Sequence, residues 1–307
     1  MNTNKSRKQK IRLGIVGFSA GNGHPYSWSA ICNGFDGESI KTCDFPVIHE
    51  YLSKQVYPDN FIQDANVTHI WTQSLELSKH IAASARIPNI VESKEELIGL
   101  VDAILLARDD AENHYENSAC FLNAGLPIYI DKPLALNQSE ALRLFKTRKY
   151  ANQLFSCSAL AYARELLLSQ EDHDVLGQIK YVDAVCCNVW PKYAVHIIEP
   201  VLRNIPYIGT ISNSHTQQIG AIQKLSVIWT SGIVTDFTCY GPEVSGPIEI
   251  RYYGENSFKR TTFEDTFNAF KLALVDFLET VKVEIYQPIS DEFMLKVVSL
   301  IELGTAQ

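Results

Sequence analysis

Ile11-Arg12-Leu13-Gly14-Ile15-Val16-Gly17-Phe18-Ser19-Ala20-Gly21-Asn22-Gly23-His24 is the stretch on which the fold turns. Ile11 to Phe18 is a compact apolar run that reads as a strand. It empties into a glycine-rich turn, and Pro25 then favours the first turn of a helix. Such a strand-to-helix turn lets backbone N–H groups approach a pyrophosphate at a helix N-terminus. The pattern departs from GxGxxG, since Ser19 stands at the second glycine and Asn22 at the third. Gly17, Ser19, Ala20, Gly21, Asn22 and Gly23 are the candidate dinucleotide-binding residues.

Downstream the chain alternates. Val67 to Trp71 reads as a strand, followed by a helical stretch through Arg86. Ser93-x-x-Glu96 is a capping box before the strand Asp102 to Ala107. A helix through Tyr115, Ala119 and Leu122 should end at Gly125 in a left-handed cap, ahead of the strand Pro127 to Ile130. This alternation predicts an α/β chain whose residues 1–133 form a doubly wound parallel sheet of Rossmann type. Residues 34–66 are polar, aromatic and broken by proline, too long for an ordinary connection, and read as a functional excursion.

Asn137-x-x-Glu140 caps a helix that bridges to a second half of different character. Lys180 to Val189, Leu225 to Trp229, Ile233 to Cys239 and Ile248 to Tyr253 are β-branched and aromatic, with Ser231-Gly232 as a hairpin turn. Phe267, Phe270, Leu274, Phe277, Leu278 and Val281 follow helical spacing, and a last helix is expected from Ser290 to Glu302. Residues 134–307 are thus expected to form an α+β domain on an open, mostly antiparallel sheet.

Composition narrows the function. Hydrophobic content of 46% and charged content of 20% suit a soluble globular protein. A net charge of −8 argues against a nucleic-acid surface; the basic head with Lys5, Arg7, Lys8, Lys10 and Arg12 reads as a frayed terminus. No secretory signal and no bilayer-length apolar stretch is expected, so no membrane partner. Seven cysteines with no CxxC pair read as small apolar residues in a reducing cytoplasm, and eight histidines without HxxxH or HExxH spacing predict no metal.

The chemistry concentrates in two places. Asp131-Lys132-Pro133 follows the strand Pro127 to Ile130, and Tyr193-Ala194-Val195-His196-Ile197-Ile198-Glu199 comes some sixty residues later. A lysine at a strand's carboxyl end and a histidine on a later element are the two proton-handling groups that alcohol-to-carbonyl chemistry needs. With the glycine loop they point to an oxidoreductase using NAD or NADP. The expected acid for the cofactor ribose is missing, because the second strand ends in neutral Trp71-Thr72-Gln73-Ser74. Thr72 and Gln73 hold the place of that contact, and no arginine stands there for a phosphate.

Val101-Asp102-Ala103 through His114, Ala124-Gly125-Leu126-Pro127 into Asp131-Lys132-Pro133-Leu134-Ala135, His196, and Phe267-Asn268-Ala269-Phe270 to Glu302 together resemble the glucose–fructose oxidoreductase/inositol dehydrogenase (Gfo/Idh/MocA) family. The resemblance runs over nearly the whole chain from Ile11, with Asp-Lys-Pro for the family's usual Glu-Lys-Pro. It implies an NAD(P)-dependent dehydrogenase or reductase of sugars, cyclitols or nucleotide sugars. Some members use the cofactor for elimination or glycoside cleavage, and some only bind ligands, so both remain rival readings. The resemblance also implies a homo-oligomer formed through the second-domain sheet.

Carried over, Lys132 would hydrogen-bond the reacting substrate oxygen beside the nicotinamide, His196 would be the general acid/base, and Asp131 would accept from the nicotinamide ribose. Tyr193, beside the histidine, would donate to substrate or pack. Two departures stand out. The family's aspartate four residues before the histidine is here Lys192, which would repel Lys132 or bind an anionic substrate. The family's Thr-Pro after the fourth strand is here Arg108-Asp109; Arg108 would grip a phosphate, or pair with Asp109 or Asp110. His114 reads as structural.

Overall fold

The computed structural model describes residues 10–283 and 285–305. Lys5, Arg7 and Lys8 of the basic head lie outside them. The first sheet holds β1 (Ile11–Val16), β2 (Ala65–Trp71), β3 (Asn89–Ile90), β4 (Ala103–Leu106), β5 (Ile128–Ile130) and β6 (Leu154–Phe155). Its order is β3-β2-β1-β4-β5-β6, and every pair is parallel. Crossover helices cover both faces, so β4 and β5 are buried along their whole length and read as continuous apolar runs. Because β6 pairs with β5, the sheet takes in residues beyond 133, where the sequence reading ended the domain.

The helices of this half are α1 (His24–Asn33), α2 (Gly37–Lys41), α3 (Pro46–Ser53), α4 (Leu75–Ser84), α5 (His114–Ala124) and α6 (Gln138–Thr147). The expected punctuation is present. Ser93 and Glu96 close a capping box, Gly125 ends α5 in the left-handed region, and Asn137 accepts from the Glu140 amide. The 34–66 excursion folds into α2 and α3. Tyr51 of α3 bonds Ser27 of α1, which holds the excursion against the helix after the glycine loop.

The second half supplies α7 (Gln170–Leu176), α8 (Trp190–Tyr193), α9 (Val195–Asn204), α10 (Thr266–Lys282) and α11 (Asp291–Thr305). Its sheet comprises β7 (Ile179–Cys186), β8 (Ile211–Ile219), β9 (Ile222–Trp229), β10 (Val234–Cys239), β11 (Glu249–Gly254) and β12 (Phe258–Thr262), in the order β12-β11-β7-β10-β9-β8. Only β7 and β10 run parallel, so the sheet is mixed and mostly antiparallel. Helices α9 and α11 pack on one face; much of β8 on the edge stays exposed.

The halves share a continuous core. Tyr129 of β5 stacks on Trp28 of α1 and meets Phe277 of α10, and Phe155 of β6 also touches Phe277. Among the described residues no helix is long and apolar enough to cross a membrane.

Candidate active site

Three loops leave the carboxyl ends of adjacent strands: residues 17–23 after β1, Arg108-Asp109-Asp110 after β4, and Asp131-Lys132-Pro133 after β5. The crevice at a reversal of strand order is where open α/β sheets bind ligands. From the second half, α8 and the first turn of α9 bring Lys192, Tyr193 and His196 to the same place.

Asp109 joins these pieces. Its Oδ1 accepts from Ser19 Oγ at 2.7 Å and from Lys192 Nζ at 3.1 Å, while Oδ2 lies 3.4 Å from Lys132 Nζ. Its own amide donates to Ser19 Oγ at 3.0 Å. Burial alone would raise this carboxyl, but Lys132, Ser19 and Lys192 together bring it down to about 2. Lys192 therefore points into the crevice, and the repulsion expected between the two lysines is offset by a carboxylate between them. Ser19, Asp109 and Lys192, three separate departures in the sequence, are one hydrogen-bonded cluster around Lys132.

Tyr193 packs between the two proton-handling residues. Its ring centroid is 5.5 Å from Lys132 Nζ and 5.3 Å from the His196 ring. His196 is 8% exposed, and burial, then Lys132 and His24, hold its imidazole well below the usual histidine range. It is neutral at physiological pH. Its Nδ1 lies 2.7 Å from the buried Ser158 Oγ, and the Ser158 amide donates to Glu199 Oε2 at 2.8 Å. Burial pushes the Glu199 carboxyl up to about 8.

Several expected cofactor contacts are spent inside the protein. Arg108 pairs with Asp110, both nearly buried, so its guanidinium is committed rather than free for a phosphate; the ring of His114 lies between the carbonyl oxygens of Arg108 and Leu134. Asp131 is fully buried, with Oδ2 accepting from Asn22 Nδ2 and His24 Nδ1 and Oδ1 from the Lys132 amide. It braces the glycine loop instead of facing a ribose. The Gln73 amide pairs with both backbone groups of Phe18, and the Thr72 hydroxyl bonds Ser74 and Ser78. Both are engaged with their own chain, which leaves the ribose anchor unassigned.

The loop backbone itself suits a dinucleotide. Gly21 has φ +81, is exposed, and has nothing within 4 Å of where a Cβ would stand, so a phosphate can approach its main chain. Gly17 needs glycine for the opposite reason: at φ +80 a Cβ would run into the stem of Arg108. Gly23 is covered by Phe45 and Ile48 of the excursion. The open part of the cradle is therefore Ala20 and Gly21.

Residues 11–158 match the model of the Gfo/Idh/MocA oxidoreductase family, described as having an NAD-binding Rossmann fold. Residues 11–158 carry the NAD-binding domain of that family. No curated protein matches it by sequence. Solved structures share the fold over both halves. A probable dehydrogenase from Thermotoga maritima superposes with a TM-score of 0.71 at 13% identity, covering 95% of this chain and 94% of that one. The UDP-N-acetylglucosamine 3-dehydrogenase GnnA from Acidithiobacillus ferrooxidans gives 0.68 at 13% identity, covering 96% of each chain. The myo-inositol 2-dehydrogenase from Lactobacillus plantarum gives 0.66 at 13% identity, again over 96% of each. At such identities the likeness establishes the fold alone.

Sequence reasoning missed Asp109 as the hub, Ser158 beside His196, and the pairing of His24 with Asp131. Each depends on contacts between residues far apart in the chain. The only forward signal was that Ser19 departs from GxGxxG while Asp109 and Lys192 depart from the family pattern.

Proposed function

We propose that this protein exchanges a hydride between NAD or NADP and a secondary alcohol or carbonyl of a sugar-like substrate. The observation that carries the reading is the convergence of Lys132, Tyr193 and His196, with Asp109 linking Lys132 to Ser19 of the glycine loop. Ala20 and Gly21 would hold the pyrophosphate at the start of α1, and the bound nicotinamide would supply or accept the hydride. Lys132 addresses the reacting oxygen, and its ammonium stabilises negative charge that develops there. His196 addresses the same oxygen from the other side of Tyr193. Asp109 holds both lysines in place and keeps two cations from facing each other without a counter-charge.

Two ammonium groups against one carboxylate favour a substrate bearing a carboxylate or phosphate, such as a uronate or nucleotide-linked sugar. A homo-oligomer through the second sheet is part of the proposal, supported by the exposed apolar residues Ile219, Ile222, Ile228 and Phe258. Native mass spectrometry of the purified protein tests the central point, since a copurifying nicotinamide nucleotide is expected. Absence of NAD and NADP binding at millimolar nucleotide would end the oxidoreductase reading.

A further inference from the structure

Ser158 touches neither of the lysines, yet it is fully buried and its hydroxyl lies 2.7 Å from His196 Nδ1. The same oxygen accepts from the Leu160 amide at 3.2 Å, as the cap of a short helical turn over Ala159–Tyr162. Its backbone is tied to α9 as well, because the Ser158 amide donates to Glu199 one turn beyond His196. Serine and histidine are thus pinned to each other from both sides.

A serine hydroxyl has one hydrogen to give and two lone pairs to accept with. The Leu160 amide uses one lone pair, and the hydroxyl hydrogen still needs an acceptor in a place without solvent. His196 Nδ1 is the acceptor beside it. If Nδ1 carried the ring's proton, the oxygen would accept twice and its own hydrogen would lose that acceptor, a costly arrangement for a buried group. We infer that Ser158 donates to Nδ1 and so fixes neutral His196 as the Nε2–H tautomer, making Ser158 the positioning residue of the active-site histidine. The depressed basicity of His196, caused by burial, Lys132 and His24, agrees with a ring that carries a single proton.

The tautomer has a chemical consequence that rests on the proposed activity. A neutral imidazole with hydrogen on Nε2 gives a hydrogen bond to a substrate oxygen but has no lone pair there to take a proton. Proton exchange then falls to Lys132. In carbonyl reduction a bound reduced nicotinamide would supply the hydride to the carbonyl carbon, and Lys132 would give one Nζ proton to the oxygen. Lys132 would be left as a neutral amine beside the alcohol and the oxidised cofactor, and solvent would reprotonate it. In the reverse direction that amine takes the hydroxyl proton.

Nitrogen-15 NMR of histidine-labelled protein at neutral pH, without cofactor or substrate, tests the assignment directly. His196→Gln identifies the resonances. The wild type should show an unprotonated, hydrogen-bond-accepting Nδ1 and a protonated Nε2. Ser158→Ala should shift the ring toward the other tautomer, and Ser158→Thr, which keeps the hydroxyl, should restore the wild-type signals. An Nδ1–H ring or an imidazolium in the wild type overturns the inference, as does an unchanged tautomer in Ser158→Ala. If the alanine variant does not fold, the wild-type spectrum alone decides. Failure to bind a nucleotide would remove the oxidoreductase reading and leave the tautomer assignment standing.

Discussion

Lys192 donates to Asp109 at 3.1 Å across the boundary between the two halves, and the same carboxylate lies 3.4 Å from Lys132. An acid on the loop after β4 thus balances a lysine contributed by α8. Removing one partner of a buried ion pair leaves the others uncompensated. Asp109→Ala should cost about 3 kcal/mol of stability, read as a lower urea midpoint. Combining it with Lys192→Met should recover part of the loss. The depressed Asp109 carboxyl also predicts acid sensitivity. Its contribution is complete above about pH 4 and is lost as pH falls toward about 2, so the gap between wild type and Asp109→Ala should close over that window. A gap that does not depend on pH would count against the cluster.

Gly21→Val should weaken nucleotide binding without unfolding the domain. A β-branched side chain would enter the open phosphate path, and its strain at φ +81 is local. Calorimetry should show at least a tenfold loss of affinity, about 1.4 kcal/mol. With Thr72, Gln73 and Arg108 all engaged elsewhere, discrimination between NAD and NADP should also stay below about tenfold. Strong selectivity would place an unrecognised contact on the 34–66 excursion.

Lys132 and His196 address one oxygen and should behave as one unit. Each alanine substitution should lower kcat by about two to three orders of magnitude, while cofactor affinity changes little. The double variant should be scarcely worse than the singles. Near wild-type turnover in either single variant would remove that residue from the reaction.

Glu199 gives a pH signature in stability. Its folded carboxyl titrates at about 8, whereas in the unfolded chain it titrates near about 4.3. Between those values the folded state holds a proton that the unfolded state releases, so stability falls as pH rises through the window. Glu199→Gln should remove that slope. The check is the difference in urea midpoint between wild type and variant from about pH 5 to about pH 8; no change in this difference would contradict a protonated Glu199.

Lys192 should report the charge of the substrate. Lys192→Ala should raise KM for a carboxylate- or phosphate-bearing substrate by about tenfold and leave neutral cyclitols or sugars unaffected. A wild-type preference for neutral free sugars, unchanged in Lys192→Ala, would sink the anionic-substrate proposal.

The elements of this chain were legible where local physics dictates them. The apolar runs of β1, β4 and β5, the capping residues Ser93 and Asn137, and the terminator Gly125 each act over a few residues. Among the elements that stayed hidden are the polar strand β8, the basic strand β12 and the short helix α2. The strands owe their conformation to hydrogen bonding with β9 and β11, and propensity alone does not reveal that pairing. Their neighbours make them strands.

By itself, then, the sequence determined the two-part α/β architecture and the presence of Lys132 and His196 at element ends. The periodicity of burial and the chemistry of turns are written residue by residue. Only the tertiary structure decided what surrounds those two groups. Ser19 and Asp109 are 90 residues apart, Asp109 and Lys192 83, and Ser158 and His196 38. Contacts over such separations follow from how strands, helices and the two halves pack. Folding therefore turned three apparent defects in the sequence pattern into one hydrogen-bonded charge cluster.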